Sequence, residues 1–264
     1  MLGMGYVVGI EPTWLRVVRH ECAIAGLDAS LDGLRIVQLS DLHVGARVPT
    51  DFLREAADDA LALEPDVIVV TGDFVHRGGN EQALRDLADV AGRLHAPLGV
   101  YGVLGNHDCG FHGSGRMEAT DSVAQVREVL AQAHMQVLTN QSVTLDGGLQ
   151  LVGYGDLWSG EFDPARVDLD GPSVVLSHNP DTAPTLAERG ADLVLSGHTH
   201  GGQVRIPFLG PPILPVELRE YSAGPYDLGA TRLYVNRGVG WLRRVRLFVR
   251  PEVTLHVLRQ KSSI

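Results

Sequence analysis

Leu34-Arg35-Ile36-Val37-Gln38-Leu39-Ser40-Asp41-Leu42-His43 is the stretch on which the fold turns. Its first six residues form a mainly apolar run that stops abruptly at Ser40, Asp41 and His43. That is the pattern of a buried strand whose C-terminal end is polar. The pattern returns downstream, where Val67 to Val70 runs into Thr71-Gly72-Asp73 and Gly99 to Leu104 runs into Gly105-Asn106-His107-Asp108. Helical spacing separates these strands. Phe52, Leu53, Ala56, Ala57, Ala60 and Leu63 fall on one face of a segment from Pro49 to Leu63, with Thr50 and Asp51 as cap candidates, and Gln82 to Leu94 has the same period. A Gly-rich loop and a helix from about Met117 to Ala133 follow the third strand, and Leu15 to Ala23 reads as a strand ahead of the first. Strand and helix alternating in series imply a largely parallel sheet.

The middle of the chain changes character. Gln136 to Thr139, Ser142 to Leu145 and Leu149 to Tyr154 read as short strands, with Asp146-Gly147-Gly148 as a hairpin turn, so a second sheet with antiparallel pairs is expected to begin at Gln136. Val174 to Leu176 then ends at Ser177 and His178, a helix is expected from about Asp181 to Glu188, and Asp192 to Leu195 ends at Gly197-His198-Thr199-His200. From Val204 to Val216, Pro207, Pro211, Pro212 and Pro215 exclude a helix and leave an irregular apolar loop. Strands near Arg232 to Val235 and Val253 to Val257 close the chain. No repeat or low-complexity segment divides it, so a single domain over residues 1–264 is expected.

With 44% hydrophobic and 20% charged residues, the chain has the make-up of a folded soluble protein rather than a disordered one. Its formal net charge of −10 disfavours nonspecific nucleic-acid binding. Cys22 and Cys109 lie far apart without a metal or redox spacing. The apolar stretch Met1 to Ile10 is too short to span a bilayer, and the first basic residue, Arg16, follows it, unlike the order in a secretory signal. A cytoplasmic protein is expected.

Asp41, His43, Asp73, Asn106, His178, His198 and His200 are all metal-capable, and each sits at or just past the end of an expected strand. In a mostly parallel sheet those ends share one edge, where ligands bind. Carboxylate, imidazole and amide donors without thiolate suit manganese, iron or zinc. Seven donors are too many for one ion and suit two ions that share a carboxylate. Taken singly, a Gly-Asp after a strand is more often a turn, and a lone histidine more often structural. It is the repetition at one end of successive strands that favours the metal reading.

Through Asp41-Leu42-His43, Gly72-Asp73, Gly105-Asn106-His107-Asp108, His178 and Gly197-His198-Thr199-His200, the chain resembles the calcineurin-like metallophosphoesterases over roughly residues 34 to 203, and Gly201-Gly202-Gln203 resembles their bacterial branch. The resemblance implies a four-layer αββα sandwich of two mixed β-sheets. It implies that Asp41, His43 and His200 hold one metal, that Asn106, His178 and His198 hold the other, and that Asp73 bridges them. His107 matches the family's catalytic histidine, which contacts the substrate phosphate and can protonate the departing oxygen. Two cations would acidify a water and clamp the phosphoryl oxygens for in-line attack, without a covalent enzyme intermediate.

One motif departs from the family. Relatives with Gly-Asp-x-Val-Asp-Arg-Gly use the second Asp to support the catalytic histidine and the Arg to bind phosphate, whereas this chain reads Gly72-Asp73-Phe74-Val75-His76-Arg77-Gly78. Arg77 keeps the phosphate contact, but His76 replaces the carboxylate, leaving Asp108 or solvent to orient His107. A phosphodiesterase is therefore expected in preference to a protein phosphatase. The rivals are a nucleotidase or nuclease, a pyrophosphatase acting on a UDP-sugar lipid, and a noncatalytic metal-binding scaffold. Three further features are read more plainly. Asp156 and Trp158 could line a substrate wall, but a Trp closing a core edge is an equal account, and both are left outside the site. Arg243, Arg244, Arg246 and Arg250 are taken as a solvated basic face, with an anionic lipid or substrate as the sharper alternative. The apolar loop Ile206 to Pro215 suggests an amphiphilic or nucleotide-linked substrate and a peripheral membrane contact, against the competing account that it folds over the core.

Overall fold

The computed structural model describes residues 2–77, 79–112, 115–116 and 122–261. In chain order the principal elements are β1 (Arg16–Ile24), β2 (Arg35–Leu39), α1 (Thr50–Leu61), β3 (Val67–Thr71), α2 (Glu81–Ala91), β4 (Val100–Val103), α3 (Ser122–Gln132) and β5 (Met135–Val137). They continue with β6 (Gln141–Thr144), β7 (Gln150–Gly153), β8 (Ser173–Leu176), α4 (Ala183–Glu188), β9 (Leu193–Ser196), β10 (Gly224–Leu228), β11 (Thr231–Val235) and β12 (Glu252–Gln260). The first sheet has the order β1-β12-β2-β3-β4-β5 and the second β10-β11-β9-β8-β7-β6. Both are mixed. β2, β3, β4 and β5 run parallel and β12 antiparallel to β2, while β7, β8, β9 and β11 run parallel between two antiparallel edge strands.

Three apolar clusters separate four layers. Ile68 and Val70 of β3 pack with Phe52, Leu53 and Ala56 of α1 and Leu87 of α2 on the outer face of the first sheet. Val67 and Val69, their alternating neighbours, meet Leu151, Val174, Leu176, Leu193 and Leu195 between the sheets. Val175 and Val194 point the other way and pack with Ala183 and Leu186 of α4. Each central strand is thus buried on both faces, which is why β3, β8 and β9 read as unbroken apolar runs. The αββα sandwich is the observed architecture, with a thin fourth layer built on one short helix.

Several boundaries differ from expectation for identifiable reasons. The second sheet begins at Gln141, not Gln136, because β5 pairs parallel with β4 and forms the edge of the first sheet. Thr50 is the first helical residue of α1 behind Pro49, which makes no side-chain cap, whereas Asn80 caps α2 by accepting from Ala83 N at 2.9 Å. The helix expected from Met117 is present from Ser122, and residues 117–121 lie outside the described residues. The stretch expected as a helix from Asp181 opens with a 3-10 turn, Pro180–Thr182, before α4. Segment 204–216 is irregular, as its prolines require. No helix among the described residues is long and apolar enough to cross a membrane.

Candidate metal centre

The two sheets bring their strand ends to one edge. Asp41 and His43 follow β2, Asp73 follows β3, Asn106 follows β4, His178 follows β8, and His198 and His200 follow β9, and all seven side chains are buried. The backbone turns sharply there: Asp41, His43, Asp73, His198 and His200 have φ between 47° and 68°. That left-handed conformation disfavours an L-residue by about 1–2 kcal/mol, and it persists only where surrounding contacts impose it. The contacts are visible. Asp41 N donates to Gly72 O at 2.9 Å, His43 N to Asp73 O at 3.0 Å, and His198 N to Asp41 Oδ2 at 3.1 Å. Gly72, at φ 92°, leaves the space that His178 enters, since a Cβ there would lie 2.6 Å from His178 Nδ1.

The donor atoms fall into two groups around one carboxylate. His43 Nε2 and His200 Nε2 are 2.9 Å apart, with Asp41 Oδ1 at 3.4 Å from His200 Nε2. His178 Nε2 lies 3.2 Å from Asn106 Oδ1 and 3.1 Å from His198 Nδ1. Asp73 Oδ2 faces both, at 3.5 Å from His43 Nε2 and 3.3 Å from His178 Nε2. Asp41, His43 and His200 form one set able to hold an ion, and Asp73, His178 and His198 another.

Hydrogen bonds on the far side of the rings direct the lone pairs inward. His178 Nδ1 donates to Thr71 O at 2.7 Å and His198 Nε2 to Pro215 O at 2.8 Å. Each bond fixes which ring nitrogen is left to accept an ion. Burial holds the His43, His198 and His200 imidazoles below their ordinary range, His198 at about 3, and so keeps them neutral. Burial also pushes Asp41 up to about 7. It opposes charge on Asp73 as well, but the His178 and His107 rings hold that carboxyl well below its usual range. Burial opposes charge on His178 too, but Asp73 beside it pushes that imidazole up to about 10, so His43, His198 and His200 are the neutral rings, and this mix of imidazole and carboxylate donors fits divalent cations.

His107 lies beside this centre. Its ring meets His43 edge-on at 4.8 Å and stacks on His76 at 5.1 Å, and its backbone N–H donates to Asp73 Oδ1 at 2.9 Å. Asp108 does not supply the missing support through its carboxylate, because its oxygens accept from Val75 N at 3.0 Å and Gly105 N at 2.9 Å. They brace the loops after β3 and β4 instead. A cavity of about 170 Å³ opens onto the centre, lined by Asp73, Asn106, His107, His198 and His200 together with Trp158, Pro215 and Leu242. Trp158, left outside the site by sequence reasoning, is therefore part of its wall, and its ring meets His198 edge-on at 4.6 Å. Asp156, behind it, is buried and binds Ser159 N at 2.7 Å. Arg77 does not line this cavity. It lies in a neighbouring one with His76, and Leu242 borders both.

The arginine group divides three ways. Arg246 is fully buried, contrary to the solvated-face expectation, and donates to Val249 O at 3.1 Å, Arg237 O at 3.0 Å, Gly238 O at 3.0 Å and Gly240 O at 2.6 Å. It thereby holds a loop that packs on two of the candidate ligands: a Cβ at Gly238, whose φ is 70°, would lie 2.8 Å from Asp41 Cβ and 3.0 Å from His200 Nδ1. Arg250 lies over the Trp14 ring at 4.0 Å and binds Trp14 O and Leu15 O. Only Arg243 and Arg244 are exposed. A sequence signal for Arg246 existed in its apolar neighbours Val245, Leu247 and Val249, but spacing does not reveal a buried guanidinium.

Comparison with known proteins gives the family. The calcineurin-like phosphoesterase family profile matches residues 34–202. The chain is 36% identical over 259 residues to phosphodiesterase YaeI of Escherichia coli, covering 96% of this chain and 92% of that protein. It is 34% identical over 296 residues to the UDP-2,3-diacylglucosamine pyrophosphatase LpxG of Chlamydia trachomatis, covering 93% of this chain and 90% of that protein. Among solved structures, phosphopantetheinyl hydrolase of Mycobacterium tuberculosis shares the fold, with a TM-score of 0.50 at 14% identity over 81% of this chain and 92% of that one. This chain belongs to the calcineurin-like phosphoesterase family and is a metal-dependent hydrolase of phosphoric esters.

Proposed function

We propose that the chain hydrolyses a phosphodiester or diphosphate bond in an amphiphilic, nucleotide-linked substrate at a centre of two divalent ions. The observation that carries the two-ion reading is Asp73 Oδ2, which faces His43 and His178 from opposite donor groups. Asp41, His43 and His200 would hold one ion, Asn106, His178 and His198 the other, and Asp73 both. Such a pair supplies Lewis-acid polarisation of the phosphoryl group and an acidified water. Manganese, iron and zinc all suit the donors. His107, on the wall of the same cavity, is placed to protonate the departing oxygen. Trp158, Pro215 and Leu242 add apolar surface to the wall of that cavity.

Three observations favour an amphiphilic substrate. LpxG is named for a diacylated sugar nucleotide. Ile206, Phe208, Leu209, Ile213 and Phe248 are exposed, and so are Met4, Val8 and Ile10 of the N-terminal segment. Backbone bonds join these surfaces, with Arg246 N donating to Val7 O at 3.0 Å and Arg205 N to Leu247 O at 2.9 Å. Burial of Leu214 and the Pro215 carbonyl bond to His198 tie the apolar loop to the centre, so one end folds inward and the other faces out. The resulting rim suits peripheral contact with a lipid surface.

The test is a hydrolysis panel with the manganese-, iron- or zinc-loaded protein: bis-p-nitrophenyl phosphate, a nucleotide diester, DNA, and a nucleoside diphosphate ester with and without an acyl chain. Preference for the acylated substrate, reduced by Phe208→Ser with Leu209→Ser, supports the proposal. Preference for DNA or a free nucleotide would place the chain among nucleases or nucleotidases. Bound metal with no hydrolysis across the panel would leave a scaffold.

A further inference from the structure

We propose that the cavity beside the metal centre is a second anion subsite, which holds a phosphoryl group of the substrate other than the one cleaved. This rests on the phosphoesterase reading above and adds that the substrate carries two phosphoryl groups. Arg47, Arg77, Arg243 and Arg244 line a cavity of about 530 Å³ together with His76 and Trp241. They arrive on three loops that the fold lays side by side. A parallel bridge between Val44 and Val75 extends the pairing of β2 and β3 past their ligands. Val239 N donates to Ser40 O at 2.9 Å and Gly240 N to Asp41 O at 2.8 Å, which brings the third loop against the first. Arg47 and Arg77 each take a left-handed backbone, at φ 59° and 52°, just after loops that carry His43 and Asp73. Arg244 lies 5.8 Å from the ring of Trp241, which is itself buried in the core.

The charge is the unusual feature. The chain carries a net charge of −10, yet among the described residues none of these four arginines forms an ion pair, whereas Arg54, Arg93, Arg237 and Arg259 all do. Four cations collected around one concavity repel one another unless an anion completes the site, and the planar guanidinium fork matches phosphoryl oxygens. The position selects the source. Leu242 borders both cavities, and His76 stacks on His107 at 5.1 Å and lies edge-on to His43 at 5.8 Å. An anion held by the arginines would lie beside His76 in a cavity that shares Leu242 with the one at the metal centre, so a single molecule carrying two phosphoryl groups can reach both.

The experiment compares the wild type with the double variant Arg243→Gln, Arg244→Gln, both metal-loaded. The expected result is a loss in kcat/KM on a nucleoside diphosphate ester at least tenfold larger than the loss on bis-p-nitrophenyl phosphate, with Arg47→Gln giving a smaller loss of the same kind. Equal losses on the two substrates would overturn the subsite. Equilibrium binding of inorganic pyrophosphate supplies a readout independent of turnover: at least tenfold weaker binding by the double variant supports the subsite even if the chain proves to hydrolyse nothing, and unchanged binding rejects it. Anionic phospholipid vesicles identify the other phosphoryl source. Weaker vesicle binding by the variant, with pyrophosphate binding intact, would assign the arginines to lipid headgroups and overturn the proposal.

Discussion

Replacing Arg246 by methionine removes a buried charge while nearly preserving side-chain length. Its four acceptors are main-chain carbonyls of Arg237, Gly238, Gly240 and Val249, so no second substitution can relieve them. Charge-assisted hydrogen bonds contribute about 1.5–3 kcal/mol each, which would overstate the net effect if simply added. Part is offset because burial disfavours the guanidinium, lowering it to about 10. Leaving buried carbonyls unsatisfied costs about 1–3 kcal/mol each, so with that offset and partial relaxation a destabilisation of about 3–5 kcal/mol is expected. For a chain of this size it corresponds to a fall in Tm of roughly 6–20 °C. Denaturant unfolding of the chelated protein measures it without the contribution of bound metal. Because Gly238 packs on Asp41 and His200, metal affinity should fall as well, by about 10–100-fold. A loss below about 1 kcal/mol, with metal affinity unchanged, would refute the idea that Arg246 organises the loop behind the centre.

His107→Ala is expected to lower kcat by about 10²–10⁴-fold while leaving metal content intact, since the backbone N–H that binds Asp73 remains; kinetics with metal analysis on one sample checks both. Chelation of the wild type should lower its melting temperature. An ion present at a hundred times its Kd contributes about 2.7 kcal/mol, read by scanning calorimetry as a shift that disappears in Asp73→Asn. His256 supplies a pH dependence away from the metal. Burial holds its imidazole well below the ordinary value, with His20 beside it and Nε2 donating to Gln38 Oε1 at 2.9 Å. The unfolded chain then binds the extra proton first, so stability is lost as pH falls below about 6.5, with a slope of up to about 1.4 kcal/mol per pH unit. His256→Gln should reduce that slope between pH 6.5 and 5 in unfolding titrations; an unchanged slope would show that His256 does not titrate between the two states.

The central strands were legible because burial on both faces leaves them unbroken by polar residues, and the ligands were legible because they end those runs. Asp41, Asp73, Asn106, His178, His198 and His200 meet through the topology of parallel strands, a rule that works without knowing loop structure. Elements at the margins were harder. Three-residue β5 gave no local sign of which sheet it joined, since both sheets offer parallel partners. β10, Gly224–Leu228, was absent from the sequence reading because Pro225 and Asp227 break its apolar pattern, a composition tolerated at a sheet edge. Arg246 was misread because charge normally implies exposure, and its acceptors are carbonyls that no side-chain pattern advertises. Trp158 was missed for a related reason: its partner His198 lies forty residues away and meets it only across the second sheet's loops.

That division follows from how the molecule separates chemistry from recognition. The candidate metal ligands belong to strand ends whose positions are set by two packed sheets, so their identities and order carry the fold's signature. What the substrate meets next is built from loops: Trp158, Pro215 and Leu242 over the centre, and the arginines beyond His76. The two systems are nevertheless fastened together. His198 donates to the Pro215 carbonyl at the inner end of the apolar loop, and Arg246 joins the loop behind Asp41 and His200 to the N-terminal segment through Val7 O. His198, and the loop packed against Asp41 and His200, are thereby joined to the exposed rim by hydrogen bonds. On the proposed reading of an amphiphilic substrate, that linkage ties the recognition loops to the candidate ligands they cover.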